Sequence, residues 1–103
     1  MYKLAFFVPL DAAETVKEAV FETGAGRIGD YEACCFETRG RGQFRPLDGA
    51  DPHIGAVGEL EHVEELKVEL VCADGVIQAA VAALKLAHPY EEPAYDVWRL
   101  EEL

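Results

Sequence analysis

A chain of 103 residues with 9 basic and 20 acidic side chains, a formal net charge of -11, holds one domain and is ill suited to nonspecific binding of nucleic acid or an anionic membrane. Half of its residues are hydrophobic, enough for a modest core, but a chain this short buries only about two thirds of its unfolded surface, so association would help it. Three cysteines, two of them adjacent, make a poor disulfide framework, and a reduced cytoplasmic setting is the simplest reading.

The N-terminal segment carries no signal-peptide cleavage pattern and is far shorter than a membrane span. Residues 2 to 8 alternate, with Tyr2, Leu4, Phe6 and Val8 on one face and Lys3, Ala5 and Phe7 on the other, which predicts a first strand. Pro9 and Leu10 end it. Asp11 followed by Glu14 has the spacing of a capping box and predicts a helix that starts at Asp11, continues through Ala12, Val16, Ala19, Val20 and Thr23, and stops at Gly24 and Gly26.

Tyr31 to Thr38 predicts a second strand whose two faces are both partly apolar, with Cys34 and Cys35 pointing to opposite sides. Arg39 to Gly58 reads as a long, mobile loop, broken by Gly40, Gly42, Pro46, Gly49, Pro52, Gly55 and Gly58, with a short strand at Gln43 to Arg45. Four arginines against three acids make residues 27 to 45 locally basic in an otherwise acidic chain. Glu59 to Cys72 predicts an extended element with Leu66, Val68, Leu70 and Cys72 inside and Glu65, Lys67 and Glu69 outside.

Asp74 is placed to cap a second helix, residues 75 to 87, apolar nearly all round apart from Gln78 and Lys85. His88-Pro89-Tyr90-Glu91-Glu92-Pro93 then forms a stiff link, because Pro89 cannot continue the helix and Pro93 biases Glu92 toward extended geometry. Ala94 to Leu100 predicts the last strand, followed by a frayed tail. The order strand, helix, strand, strand, helix, strand predicts an α+β ferredoxin-like sandwich, an antiparallel sheet with two helices on one face, spanning residues 1–103.

Several stretches carry a resemblance: Gly24-Ala25-Gly26-Arg27-Ile28-Gly29-Asp30-Tyr31, Gly42-Gln43-Phe44-Arg45-Pro46, Gly49-Ala50, Ile54-Gly55, Val57-Gly58 and the segment His88 to Asp96. Together they resemble the insert domain of many bacterial members of the family named for NGG-interacting factor 3, and the chain looks like a stand-alone copy of that insert. The resemblance implies a PII/CutA-like architecture, CutA also carrying a His-Pro-Tyr-Glu turn after its second helix. The parent family binds a pair of metal ions in the lobes that flank the insert, so the resemblance transfers no catalytic residue, no metal ligand and no cofactor to these positions. PII relatives bind nucleotide near the loop after their second strand, which is analogy only for Arg39 to Gly58.

Candidate sites follow from residue chemistry. His88 with Glu91, and Glu92 beside them, could ligate a metal or act as an acid-base cluster, but a histidine at a helix end also suits the helix dipole when protonated, so the turn reads chiefly as structural. Arg39 and Arg41, with Arg45 and His53 in the same loop, could hold a small anion, though no Walker pattern is present; the alternative is a solvated loop. Cys34, Cys35 and Cys72 could bind a soft metal with His53 or His62, but lack CxxC spacing and read as small buried residues. Glu59, Glu61, Glu64 and Glu65 read as a solvated strand face.

No nucleophile and base can be placed together, so the expected function is noncatalytic: a self-associating regulatory or interaction domain, with a metal- or anion-binding sensor as the alternative. Phe7, one face of Tyr31 to Phe36, and either Tyr95 and Val97 or Trp98 are left on the sheet face away from the helices. A second copy is expected to cover them, and the PII and CutA resemblance implies a trimer with sheets turned inward.

Overall fold

The computed structural model describes residues 1–103. Its elements are β1 (Tyr2–Pro9), a 3-10 turn (Leu10–Ala12), α1 (Ala13–Glu22), β2 (Phe36–Phe44), β3 (Glu61–Cys72), α2 (Ile77–Ala87) and β4 (Tyr95–Arg99). The sheet order is β2-β3-β1-β4, with every neighbouring pair antiparallel. Each helix therefore joins two parallel strands separated by a third, which is the split crossover of the ferredoxin-like arrangement.

Register assigns the faces, because residues directly opposite each other in an antiparallel pair share a side. Leu4 faces Leu70 and Val97, and Phe6 faces Val68 and Tyr95. These residues, with Val8 and Cys72, look toward the helices, where Val16, Val20, Ala80 and Leu84 complete a closed core. Phe6 is wholly buried at its centre; truncating such a side chain to alanine costs about 3–5 kcal/mol. The other side of the sheet, which we call the open face, carries Lys3, Ala5 and Phe7 from β1, Lys67 and Glu69 from β3, and Trp98 and Asp96 from β4.

Several local expectations are corrected. The helix does not begin at Asp11 with a capping box: Pro9 leads into a 3-10 turn, the α-helical cap is Ala12, and no side chain caps it. Glu14 instead holds Lys17 at 2.8 Å, and Lys17 reaches across to Glu37 at 3.0 Å. Asp74 does not cap α2 either; its carboxylate takes the N-terminal amine and Arg99, the latter at 3.3 Å, and these two cations hold its pKa below the usual range. Leu86 lies 90% exposed, so α2 is not buried all round.

The second strand starts later and runs further than its alternation implies. Gly24 and Gly26 take positive φ and end α1, and Gly26 then donates to Val71 while its carbonyl receives the Cys34 amide. A β-carbon on Gly26 would meet the Phe21 ring and the Cys34 carbonyl at 2.8–2.9 Å, so the close approach itself requires glycine. Ile28 and Tyr31 pair across a tight turn, and Cys34 and Cys35 fall in irregular chain before β2 rather than on opposite faces of a strand.

Arg39 to Gly58 is accordingly two things. Its first six residues belong to β2, paired with β3 from Arg39 opposite Leu66 to Phe44 opposite Glu61, although β2 is an exposed edge strand with two glycines. Only the remainder is loop, and its base is closed by the Gly58 amide donating to the Pro46 carbonyl at 2.8 Å. The β2–β3 arm extends past the end of β1, giving a particle 46 × 24 × 24 Å. No helix is long and apolar enough to cross a membrane.

Candidate functional site

The turn after α2 and the loop after β2 meet beside the projecting arm. α2 ends because His88 is extended, at ψ 136°, while its amide still donates to the Leu84 carbonyl. The His88 ring is buried, and its two nitrogens are both used: Nε2–H donates to the Phe7 carbonyl at 2.8 Å and Nδ1 accepts the Tyr90 amide at 3.1 Å. One donor and one acceptor is the hydrogen-bonding capacity of a neutral imidazole. Burial lowers the His88 pKa, the Phe7 carbonyl opposes this, and His53 lowers it further. The protonated, dipole-capping histidine suggested by its place at a helix end is therefore replaced by a neutral one that ties the turn to the C-terminal part of β1.

That fastening places Tyr90. Its ring lies 4.9 Å from His88, 6.1 Å from Phe44 and 6.2 Å from His53, centre to centre. Glu91 accepts the Asp51 amide at 3.1 Å, so the turn also holds the loop. Between them lies a cleft of about 460 Å³, near the lower end of the range for small-molecule sites. Its walls are largely Phe7, Phe44, Pro46, Pro52, Ile54 and Tyr90.

The polar groups at the cleft are few. The Tyr90 hydroxyl is buried with no hydrogen-bond partner in good geometry. It nonetheless lies close enough to Glu65 for each to influence the other. Burial first, then the charge and proximity of Glu65, push the Tyr90 pKa up to about 12. Burial likewise raises the Glu65 pKa, with the Tyr90 hydroxyl pulling it partly back. Glu65 is thus a half-buried carboxyl that lines the cleft, not part of a common solvated strand face. Register separates the four acids: Glu61 and Glu65 lie on one side of β3, Glu64 on the other with Arg39 at 2.6 Å, and Glu59 precedes the strand.

The remaining sequence candidates are distributed as follows. Of Arg39, Arg41, Arg45 and His53, only His53 lines the cleft. Arg39 and Arg41 share the side of the sheet that Glu64 occupies and border a second, smaller depression with Lys67, which Phe7, Gly42 and Glu65 of the cleft also line. Glu91 and Glu92 lie at the cleft, but neither His88 nitrogen is open to a metal unless a backbone hydrogen bond breaks. Cys72 is in the core, Cys34 and Cys35 lie before β2, and His62 engages Gln43 at 3.0 Å; no group of three His, Cys, Asp or Glu side chains is gathered to hold a metal ion. Sequence reasoning takes Tyr90 as part of the turn motif and Glu65 as part of a solvated strand face, so it does not pair them. The Tyr-Glu pair in the turn was visible, but nothing local in sequence says that position 90 would meet position 65.

Comparison with known proteins identifies relatives. No family model matches the chain. It is 48% identical over 97% of its length to the GTP cyclohydrolase 1 type 2 homolog of Halalkalibacterium halodurans, of which it spans 27%. A crystal structure of a Bacillus cereus protein related to NIF3 superimposes with a TM-score of 0.83 at 40% identity, covering 98% of this chain and 26% of that one. CutA1 from Pyrococcus horikoshii superimposes with a TM-score of 0.71 over the whole chain and 86% of that protein, at 16% identity, which shows a shared fold. The chain is homologous to the insert region of the family named for NGG-interacting factor 3, and spans about a quarter of the length of its curated relatives.

Proposed function

We propose that this is a noncatalytic interaction or regulatory domain that works by self-association through the open face of its sheet. The observation that carries the reading is the exposure of Phe36 (70%) and Trp98 (47%) on the side of the sheet that no helix covers. Phe7, half-buried on the same face, stands on the inner strand β1 just past the end of β4, where it also lines the cleft beside Tyr90. Tyr95 and Val97 are excluded from this surface, because register turns them toward the helices and leaves Trp98 as the aromatic of β4.

The face is amphipathic rather than uniformly apolar. Lys3, Lys67, Glu69 and Asp96 stand among the aromatics, and Lys67 lies 3.8 Å from Glu69. Such a surface suits a homomeric contact in which aromatic anchors exclude water and charges fix the orientation. Three copies is the count that the PII and CutA resemblance implies; the exposed aromatics ask only for more than one. The free thiols of Cys34, Cys35 and Cys72 suit a reducing, cytoplasmic setting.

The enzyme named in its longer relatives lends no reaction to a segment spanning 27% of them. Phe36→Glu and Trp98→Glu test the surface without threatening the core, since both side chains are exposed in the single chain. Each is expected to shift the elution of the assembled protein to that of the free chain while leaving its circular dichroism unchanged. Assembly that survives both substitutions overturns the reading.

A further inference from the structure

We infer that the cleft beside Tyr90 is a binding site for a small organic cation with an apolar body, such as an aryl- or alkylammonium. The inference goes beyond self-association; the cleft opens on the same side of the sheet, with Phe7 bordering both, so the site is to be probed in the protein as it assembles. It rests on what lines the cleft. Every group there that carries charge at neutral pH is acidic, namely Glu65, Glu91 and Glu92, and no lysine or arginine is among the lining residues. Three aromatic rings, Phe7, Phe44 and Tyr90, supply the walls, and aromatic faces attract cations as well as apolar groups.

Glu65 selects among ligand classes. Its carboxyl is held in a site that disfavours the ionised form; the Tyr90 hydroxyl is its neighbour within the cleft, while Arg39, Arg41 and Lys67 line the adjoining depression rather than the cleft. A neutral apolar guest would strip more water from it and offer nothing in return. An anion would meet three carboxylates. A bare metal ion lacks a ligand set, as no three suitable side chains converge. An ammonium group against Glu65, with the body of the ligand between Phe44, Tyr90 and the prolines, satisfies both the charge and the apolar walls.

The geometry also shows how the site is kept open. Gly42 lines the cleft, and a β-carbon there would occupy the space taken by the Glu65 carboxyl. Glycine at this strand position is what lets the carboxyl lie across β2 into the cleft. The Glu91–Asp51 hydrogen bond fixes the loop that forms the opposite wall.

Isothermal titration with three probes of one body tests this: phenethylammonium, phenethyl alcohol and 3-phenylpropionate, at constant ionic strength. The ammonium is expected to bind at least tenfold more tightly than the other two and to perturb the Tyr90 and Phe44 ring resonances. Glu65→Gln is expected to erase that preference, whereas Glu64→Gln, on the other face of β3, leaves it intact. Equal binding of the alcohol, preference for the carboxylate, or no binding of any probe overturns the inference. Ammonium binding that Glu65→Gln leaves unchanged also overturns it, because the attraction is then that of a chain with net charge -11 for any cation. Thermal melts of both variants confirm that they remain folded before either titration is read.

Discussion

Glu65 lies over Gly42, its carboxyl filling the volume that a β-carbon on residue 42 would need. The contact joins two strands, since Gly42 is in β2 and Glu65 in β3, one pleat apart along the register. Gly42→Ala removes a glycine from a strand interior, which by itself favours folding by about 0.5–1 kcal/mol, while the obstructing atoms are the far end of a flexible side chain that can swing away. The variant is therefore expected to melt at or slightly above the wild-type temperature, yet to lose phenethylammonium affinity. A large drop in melting temperature would show that the Glu65 position is a structural requirement instead.

His88 is more than the end of a helix. Its buried ring satisfies the Phe7 carbonyl and the Tyr90 amide, and His88→Ala leaves both backbone groups without that partner. The expected loss is about 1–3 kcal/mol, the cost of buried polar groups left unpaired, measured by urea denaturation. Acid should act on the same residue. The folded-state pKa lies below the unfolded value, so the stability tied to neutral His88 is complete above the ordinary histidine pKa and is lost as pH falls from about 6.5 through the depressed folded value. Wild type should lose stability over that window more steeply than His88→Gln, which cannot gain the proton; parallel curves would contradict the assignment.

Tyr90 separates packing from hydrogen bonding. Its hydroxyl is buried without a well-formed partner, so Tyr90→Phe should cost nothing and is expected to stabilise by up to about 1 kcal/mol. Tyr90→Ala, which removes a half-buried ring from its contacts with Phe44 and His88, should cost about 1–3 kcal/mol. A Phe variant as unstable as the Ala variant would mean that the hydroxyl is satisfied in solution, with Glu65 as its partner.

The half-buried charge of Glu65 makes a further prediction about pH. Its folded pKa is raised, so its contribution favours the folded state most below the ordinary glutamate range and is lost as pH rises through the folded value. Glu65→Gln should consequently be more stable than wild type at neutral pH, and the advantage should shrink in acid. A variant less stable than wild type at pH 7 would place a cation beside Glu65 in the folded chain.

The architecture was legible because the core strands state their burial locally. Leu4, Phe6 and Val8, and Leu66 to Cys72, alternate cleanly, and Pro89 can only end a helix. The edge strand was not legible. β2 owes its extended form to nine residues of pairing with β3, a tertiary effect that overrides its glycines and arginines. Helix caps failed for a related reason: Asp11 has capping-box spacing, but β1 runs on to Pro9 and the chain needs a 3-10 turn to change direction.

Half of the candidate site was visible in the same way. The His88 to Pro93 turn stands out by its prolines, yet its partners, the Phe7 carbonyl and Glu65, are 81 and 25 residues from His88 and Tyr90. Only the folded register brings them together. The arginines drew attention as local positive charge, whereas strand alternation sends Arg39 and Arg41 to the side away from Glu65.

Self-association through the open face is tested most directly by sedimentation equilibrium of the wild-type chain at micromolar concentration. The account predicts a mass that is an integral multiple, above one, of 11.3 kDa, and three times that value if the arrangement implied by the PII and CutA resemblance holds. A single species of 11.3 kDa across the concentration range would contradict it.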